Sequence, residues 1–156
     1  MSTAYPFVLV VDDDPVFQAI ALEALAALTP NVQAAADGQQ ALAWLTDHAA
    51  EVVVTDINMP NRDGIQLIGD IRGRWPRTVI VAVSGGSAVA GADILLQTAS
   101  LLGAYCVCHK PVSPHTLIKV VASALEQTRQ DSAAADRRRW SDLLDRMAAD
   151  GLITLD

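Results

Sequence analysis

Apolar residues follow two different patterns over residues 7–127 of the chain. Short apolar runs are typical of strands that are buried on both faces, and apolar residues three and four positions apart are typical of helices that bury one side. Each predicted strand is followed by a helical stretch. The predicted strands are residues 7–11, 32–35, 52–55, 78–83 and 104–108. This alternation predicts an α/β fold, in which a parallel sheet carries helices on both faces.

Polar side chains suited to metal and phosphate chemistry stand at the ends of four of these strands. The three carboxylates of Asp12–Asp14 follow the first strand, Asp56 follows the third, Ser84 follows the fourth and Lys110 comes shortly after the fifth. Because parallel sheets bind ligands beyond the carboxyl ends of their strands, we expect these side chains to converge at one edge.

Such a site favours one kind of chemistry. Clustered carboxylates need a cation, and an all-oxygen set suits Mg²⁺. A carboxylate beside Mg²⁺ can attack phosphorus and form an aspartyl phosphate, for which Lys110 and Ser84 supply donors. No phosphate-binding glycine loop is present, so nucleotide hydrolysis is not indicated. For Asp14, which precedes Pro15, we favour a helix N-cap over a place in the site.

Composition excludes several other classes of function. With 51% hydrophobic residues, the 156-residue chain has enough apolar side chains for a folded core. Its 4% aromatic residues and its net charge of −7 argue against nucleic-acid binding and against an anionic membrane surface. The first residues lack the basic region of a signal peptide, so we expect a cytoplasmic protein.

The composition shifts after Gln127, and we predict a domain over residues 1–127 followed by a tail over residues 128–156. The start of the tail is polar and rich in alanine, which is typical of a linker or a helix extension. Apolar residues then recur at helical spacing from Trp140 onwards and predict a short amphipathic helix that ends at Gly151. The cluster Arg137–Arg139 lies among aspartates and indicates a solvated helix face rather than a nucleic-acid contact.

Cys106 and Cys108 are the only cysteines, and their spacing places both on one face of the predicted fifth strand. A disulfide between them would be strained there. A C-x-C pair can bind a soft metal, but no further ligands accompany it in the sequence. We therefore predict that the two are structural thiols.

Four motifs in this order resemble one known family. VLVVDDDP, VVVTDINMPNRDG, VAVSGG and HKPVSPHTL are similar to the receiver domain of bacterial two-component response regulators, over roughly residues 7–127. The turn after the fourth strand resembles a subgroup with Ser-Gly-Gly at that point. The resemblance implies a flavodoxin-like (CheY-like) doubly wound sheet of five parallel strands in the order 2-1-3-4-5.

The resemblance also implies a role for each carboxylate. Asp56 matches the phosphoacceptor, which receives its phosphoryl group from a phosphohistidine on a sensor histidine kinase or a phosphotransfer protein. Asp13 matches the direct Mg²⁺ ligand, and Asp12 the residue that acts mainly through water. Asn58 matches the position that gives a backbone carbonyl to the metal. Mn²⁺ is the second metal that such a site implies.

Five further positions match the family around that site. Ser84 corresponds to its switch hydroxyl and Lys110 to the lysine that contacts the phosphoryl group. Pro111 follows this lysine through a bond that is typically cis in the family. Pro60 and Gly64 match structural positions beside the phosphoacceptor. The implied protein is a signalling domain with at most slow autodephosphorylation, and not an enzyme.

Two departures from the family bear on its switch. Val107 occupies the position of an aromatic residue that moves on phosphorylation, and Tyr105 is two positions away. Coupling would then depend on Ser84 and the helix after it. The stretch from Ser84 to Gly91 predicts an extended loop on a face where partners dock. Phosphorylation is expected to shift the surface of the fourth helix, fifth strand and fifth helix, and the sequence leaves dimerisation and the downstream effector open.

Two alternative functions remain at this point. A pseudo-receiver would keep the fold as a binding module without phosphorylation, which Val107 favours and the intact acidic set disfavours. A haloacid-dehalogenase-type phosphatase would use Asp12 as nucleophile and Asp14 as acid/base, but no acidic pair follows Lys110 to hold its metal. The segment DLLDRMAADGLITLD resembles the lead-in to cyclic-di-GMP phosphodiesterase (EAL) output domains, which would make the natural protein longer than this chain.

Overall fold

Alternating strands and helices make up the chain, in the order that the hydrophobic pattern predicts. The computed structural model describes residues 5–59, 64–85 and 92–152, and residues 92–96 through their backbone alone. The elements are β1 (Val8–Val11), α1 (Pro15–Leu25), β2 (Val32–Ala35), α2 (Gly38–Asp47), β3 (Val52–Asp56), α3 (Gly64–Arg74), β4 (Val79–Ser84), α4 (Ala92–Leu101), β5 (Cys106–His109) and α5 (Pro114–Ala149).

The strands form one parallel sheet in the order β2-β1-β3-β4-β5. The predicted fold class and strand order are thereby confirmed. The register pairs Asp56 with Val83 and Ser84 with His109, so β3, β4 and β5 end at one level of the sheet. This common edge brings together the polar residues that follow each strand.

Two apolar clusters, one on each face of the sheet, form the core. Leu9, Val53 and Ile80 face α2, α3 and α4, whereas the neighbouring Val10 and Val54 face α1 and α5. All five side chains are essentially inaccessible to water. Each such aliphatic side chain contributes about 1.5–3 kcal/mol through burial, and burial on both faces explains the unbroken apolar runs in the sequence.

Side-chain caps fix where three of the helices begin. Asp14 accepts a hydrogen bond from the amide of Val16 at 2.9 Å, and Pro15 occupies the first turn of α1. Asp37 and Ser113 cap α2 and α5 in the same way. A cap of this kind stabilises a helix by about 1 kcal/mol. The N-cap interpretation of Asp14 is confirmed.

Helix α5 runs without a break through the polar segment after Gln127. Its 36 residues span about 54 Å at 1.5 Å per residue. Of the two interpretations that the sequence left open for this segment, the structure has the helix extension and not a linker, although the division of the chain at residue 127 stays a prediction. The helix ends where Gly151 adopts a φ of 71° and the amide of Leu152 bonds to the carbonyl of Met147 at 2.9 Å. Among the described helices, none is long and apolar enough to cross a bilayer.

Candidate functional site

The predicted site residues converge at the carboxyl edge of the sheet. Asp12 and Asp13 directly follow β1, Asp56 and Ser84 are the last residues of β3 and β4, and Lys110 directly follows β5. One carboxylate oxygen from each of Asp12, Asp13 and Asp56 lies within 4.8 Å of the other two. The side chain of Lys110 reaches the same cluster.

The three carboxylates differ in their exposure. Asp12 is completely buried, Asp56 is 7% exposed and Asp13 faces the solvent. Close carboxylates repel one another, and burial adds a desolvation cost for their charged forms. A divalent cation offsets both effects, and the oxygens fit the preference of Mg²⁺ and Mn²⁺ for hard ligands. The residues present therefore fit a metal of this kind.

Lys110 neutralises part of this charge from the opposite side. Its Nζ lies 2.6 Å from Oδ2 of Asp12 and 3.4 Å from Oδ2 of Asp56. It also lies 4.3 Å from the centre of the Phe17 ring, at the distance of a cation–π contact. Burial by itself lowers the pKa of Lys110, but the hydrogen bond to Asp12 and the charges of Asp56 and Asp12 outweigh it and raise the pKa overall. The ammonium group therefore stays protonated at neutral pH.

Asp56 is held in one orientation by two neighbours. Its Oδ1 accepts a hydrogen bond from the amide of Asn58 at 3.0 Å, and its Oδ2 points to Lys110. Burial raises the pKa of Asp56; the Asn58 amide and Lys110 lower it, the charge of Asp12 raises it, and the net pKa is raised. The Lys110 ammonium lies closer to Asp12, so it compensates the Asp56 charge only in part.

Asp12 has both carboxylate oxygens engaged by protein donors. Oδ1 accepts from the amide of Asp14 at 2.8 Å, and Oδ2 from Lys110. The Gln18 side chain donates to the backbone carbonyl of Asp12 at 2.5 Å and fixes the turn between β1 and α1. Asp14 itself is engaged in capping α1. Asp12 is buried and engaged on both oxygens, so it lacks the accessible carboxylate that the phosphatase alternative needs for its nucleophile.

Gly64 allows α3 to begin directly beside Asp56. A Cβ at this position would lie 2.2 Å from the carbonyl oxygen of Asp56 and 2.5 Å from Cα of Ile57. The Gly64 amide donates to the carbonyl of Ile57 at 2.9 Å, which ties the start of α3 to the residue that follows β3. The peptide bond between Lys110 and Pro111 is cis, as the resemblance implies. Pro60 lies outside the described residues.

The end of β4 and the residues around β5 hold the positions that the resemblance assigns to a switch. Ser84 is 3% exposed, and its carbonyl accepts from the Lys110 amide at 2.8 Å. Val107 is 36% exposed and pairs with Ala82. The Tyr105 hydroxyl lies 2.7 Å from Oγ of Ser123 on α5, so Tyr105 is bonded to that helix. The extended loop predicted after Ser84 falls mostly on residues 86–91, outside the described residues.

Sequence reasoning missed two side chains that position the site. Phe17 and Gln18 lie in the first two turns of α1, where Phe17 contacts the Lys110 ammonium and Gln18 holds the carbonyl of Asp12. The helical spacing of Phe17 pointed only to a core position, and Gln18 carried no signal.

The architecture and this edge define a doubly wound α/β domain with a lysine-paired acidic site. The chain belongs to the response regulator receiver domain family, whose model matches residues 8–122. Domains of this family serve signalling, are generally not enzymes, and bind Mg²⁺ at an acidic pocket. The chain is homologous to receiver domains of response regulators and histidine kinases, consistent with phosphorylation-dependent signalling.

Individual relatives agree with this assignment. The chain is 30% identical over 126 residues to the sensor histidine kinase RcsC of Salmonella typhimurium, a match that covers 81% of this chain and 13% of the kinase. The receiver domain of NtrX from Brucella abortus is 30% identical, with a TM-score of 0.69 over 76% of this chain and 98% of that domain. The chemotaxis response regulator CheY4 of Vibrio cholerae is 26% identical, with a TM-score of 0.69 over 78% of this chain and 99% of that protein. The chain thus spans only a small part of the kinase.

Proposed function

We propose that this chain accepts a phosphoryl group on Asp56 in a Mg²⁺-dependent transfer from a phosphohistidine. The supporting observation is the position of the Asp56 carboxylate, which lies among Asp12, Asp13 and the Lys110 ammonium at the end of β3. In the transfer, the bond between phosphorus and the donor nitrogen breaks while a bond from an Asp56 oxygen to phosphorus forms.

The proposed metal ligands follow from accessibility. Asp13 is exposed and supplies a direct ligand, whereas Asp12 is engaged on both oxygens and acts mainly through water. Asp56 and the backbone carbonyl of Asn58 complete the protein's share, with Mn²⁺ as the alternative ion. When bound, the metal would neutralise charge on the acidic cluster and on the phosphoryl oxygens.

Lys110 and Ser84 would hold the phosphoryl group after transfer. The ammonium already lies 3.4 Å from Asp56, so a small displacement brings it to a phosphoryl oxygen. Ser84 ends the adjacent strand β4 and would donate its hydroxyl to another oxygen. The bond from the Lys110 amide to the Ser84 carbonyl couples these two residues mechanically.

The proposed phosphoryl donor is a sensor histidine kinase or a phosphotransfer protein. An apolar rim on α1 borders the site and suits such a partner: Val16 is 64% exposed and Ile20 is 43% exposed. A groove of about 460 Å³ runs from these residues to Lys110 and Pro111. A docked partner would thereby bring its phosphohistidine to the accessible side of Asp56.

The proposed output is a shift between two pre-existing states of the surface formed by α4, β5 and α5. This surface exposes apolar side chains, Leu101 and Leu102 at the end of α4 and Tyr105 and Val107 around β5, that suit a binding partner. Its amide exchange should change on phosphorylation, and unchanged exchange there would contradict the proposed switch.

The tail over residues 128–156 is proposed to connect the receiver to an effector or output domain, for which an EAL domain is one candidate. Nucleic-acid binding is not part of the proposal, and the place of action is proposed to be the cytoplasm. The proposed catalytic capacity is limited to slow autodephosphorylation.

Intact mass tests the proposal. The native chain and Asp56→Asn are incubated with Mg²⁺ and phosphoramidate, with metal-free samples as controls. We expect a Mg²⁺-dependent phosphoryl adduct on the native chain and none on Asp56→Asn. Absence of the adduct from both proteins would favour a pseudo-receiver. Donor turnover that survives in Asp56→Asn but is lost in Asp12→Asn would favour the phosphatase.

A further inference from the structure

Two thiols meet on one side of the edge strand β5. Cys106 and Cys108 are two residues apart, so the pleat of the strand points both side chains to the same face of the sheet. Their sulfur atoms are 3.9 Å apart. Val107 and His109 alternate with them and are the more exposed residues of the strand. The sequence predicted structural thiols here, but it did not predict that the sulfurs come this close.

The two sulfurs differ in their surroundings. Cys108 packs against the apolar cluster under α1 and α5. Cys106 borders a groove of about 380 Å³ between β5 and α5. The groove is lined by Tyr105, Cys106, Lys119, Val120 and Ser123. A small ion can therefore approach the Cys106 sulfur from this groove, and the Cys108 sulfur lies 3.9 Å from it.

The separation of the sulfurs fits one shared metal ion. Two metal–sulfur bonds of about 2.3 Å place the sulfurs about 3.8 Å apart at a tetrahedral angle and about 4.6 Å apart in a linear arrangement, so a small change in the side-chain torsions covers this range. A disulfide would instead require them to approach to about 2.05 Å. Burial and the neighbouring Cys106 raise the pKa of Cys108 to about 11. In the absence of a cation, the Cys108 thiol therefore remains protonated at neutral pH.

The chemistry of the two sulfur ligands limits which metal ions suit the pair. Thiolates prefer soft ions such as Cu(I), whereas the carboxylates around Asp56 prefer hard ones. Over residues 5–59, 64–85 and 97–152, the only group of three or more His, Cys, Asp or Glu side chains that meets in space is Asp12, Asp13 and Asp56. The thiol pair thus has no third protein ligand among the described residues, which favours an ion that is satisfied by two sulfurs.

We propose that Cys106 and Cys108 form a two-sulfur site for a single soft, thiophilic cation of the Cu(I) type. Binding replaces the two thiol protons, which leave to solvent. Both metal–sulfur bonds use sulfur electron pairs, and no electron is transferred. The Lys119 side chain on the groove wall would offset the negative charge of the bis-thiolate. The site goes beyond the proposed phosphorylation and does not depend on Asp56.

A competition titration tests this site. The full chain is titrated anaerobically with Cu(I) held by the colorimetric chelator bicinchoninate, with Mg²⁺ present to occupy the carboxylates. We expect one Cu(I) per chain and a sulfur-to-copper charge-transfer band. Cys106→Ser and Cys108→Ser should each lose affinity by more than about tenfold, since even the loss of an outer-shell partner of a metal ligand costs that much.

The matched control is Asp56→Asn, which should bind Cu(I) like the native chain although it accepts no phosphoryl group. Failure of the thiol site is thereby distinguished from failure of the proposed function. Equal competition by the native chain and both serine variants, or Cu(I) bound only between two chains, would overturn the proposal. If a serine variant does not fold, the native chain alkylated by N-ethylmaleimide replaces it. Cu(I) binding that survives alkylation would likewise overturn the proposal.

Discussion

The acidic site and the exposed residues around β5, Tyr105 and Val107, are built in opposite ways, although Lys110 of the site follows Val107 by only three residues. At the acidic site, Asp12 and Asp56 are buried, and both are bonded to Lys110 and to backbone amides. Around β5, Val107 is open to solvent, and Tyr105 is held by one exposed hydrogen bond to Ser123.

This difference separates the proposed phosphoryl chemistry from the proposed output surface. The contacts that would position a phosphoryl group are charged, mutually dependent and shielded from water, so changing one of them affects the others. The side chains of Tyr105 and Val107 are exposed. Exposed side chains of this kind can be substituted with little change in the free energy of unfolding. We therefore expect variants at the site to alter stability and phosphorylation together, and variants around β5 to alter neither strongly.

The largest expected effect comes from Gly64→Ala. The added Cβ would overlap the backbone of Asp56 and Ile57, which cannot move without displacing β3. We expect a loss of about 3 kcal/mol or more in the free energy of unfolding, at the upper end of overpacking costs. Urea denaturation measures it.

Gly69→Ala on the same helix is the matched control. Nothing lies within 4 Å of a Cβ there. Alanine should leave the stability unchanged or raise it by about 0.5–1 kcal/mol, because it favours the helix over glycine. Equal effects of the two substitutions would show that the close approach of α3 to Asp56 is not present.

Lys110→Ala has the next largest expected effect. It leaves the buried carboxylate of Asp12 without its ammonium partner. Breaking a fully buried pair costs about 3–5 kcal/mol, and we expect about 2 kcal/mol here because the Lys110 side chain is 20% exposed. Thermal and urea unfolding without metal measure the loss, and added Mg²⁺ should restore part of it.

Lys119→Ala removes an exposed lysine from α5 and is the control, with an expected change within about 0.5 kcal/mol. If Lys110→Ala unfolds at the same urea concentration as the native chain, the ion pair with Asp12 does not stabilise the fold.

Asp56→Asn should stabilise the metal-free protein at neutral pH by roughly 0.5–2 kcal/mol, the usual range of stabilising substitutions. The reason is that the pKa of Asp56 is raised in the folded state, so the folded chain holds its proton more tightly than the unfolded chain. Stability contributed by this group is therefore present below its ordinary pKa and is lost as pH rises through the raised folded-state pKa.

Unfolding measured as a function of pH tests this sign. The advantage of Asp56→Asn over the native chain should shrink as the pH is lowered through that range, and again when Mg²⁺ is added at neutral pH. If the stability advantage of Asp56→Asn instead grows as the pH is lowered, the folded protein favours the charged form of Asp56, and its hydrogen bonds and the Lys110 charge outweigh the effect of burial.

Tyr105→Phe should have the smallest effect. It removes one exposed hydrogen bond, worth about 0.5–1 kcal/mol at most, and leaves the ring in place. Phosphorylation of Asp56 should proceed at the native rate. Ser123→Ala removes the other partner and should match it. A large loss of phosphorylation in Tyr105→Phe would contradict this expectation, because it would show that the Tyr105 hydroxyl affects the acidic site.

The fold could be predicted from the sequence because buried strands leave a clear pattern of apolar residues. Strands such as Val8–Val11 are inaccessible on both faces, which leaves an unbroken apolar run that few other elements produce. The predicted strand order rested on the family resemblance, and the sheet has that order. The convergence of Asp12, Asp56 and Lys110 followed from parallel topology alone.

Other features could not be predicted from the sequence, for physical reasons. Polar residues rich in alanine suit an exposed helix and a linker equally, so the continuity of α5 beyond Gln127 had no distinct signal. The contacts of Phe17 and Gln18 depend on rotamers and on the angle at which α1 leaves the sheet. The sulfur separation of 3.9 Å likewise depends on side-chain geometry that residue spacing does not determine.

Chemical mapping of the phosphorylated residue tests the central proposal most directly. The chain is phosphorylated with phosphoramidate and Mg²⁺, reduced with borohydride, which converts an aspartyl phosphate to homoserine, and digested for peptide sequencing by mass spectrometry. We predict homoserine at position 56 alone, with unmodified Asp12 and Asp13 in the same digest. Homoserine at position 12, or a phosphoryl group that resists reduction and maps to Ser84, would contradict the assignment of Asp56 as the phosphoacceptor.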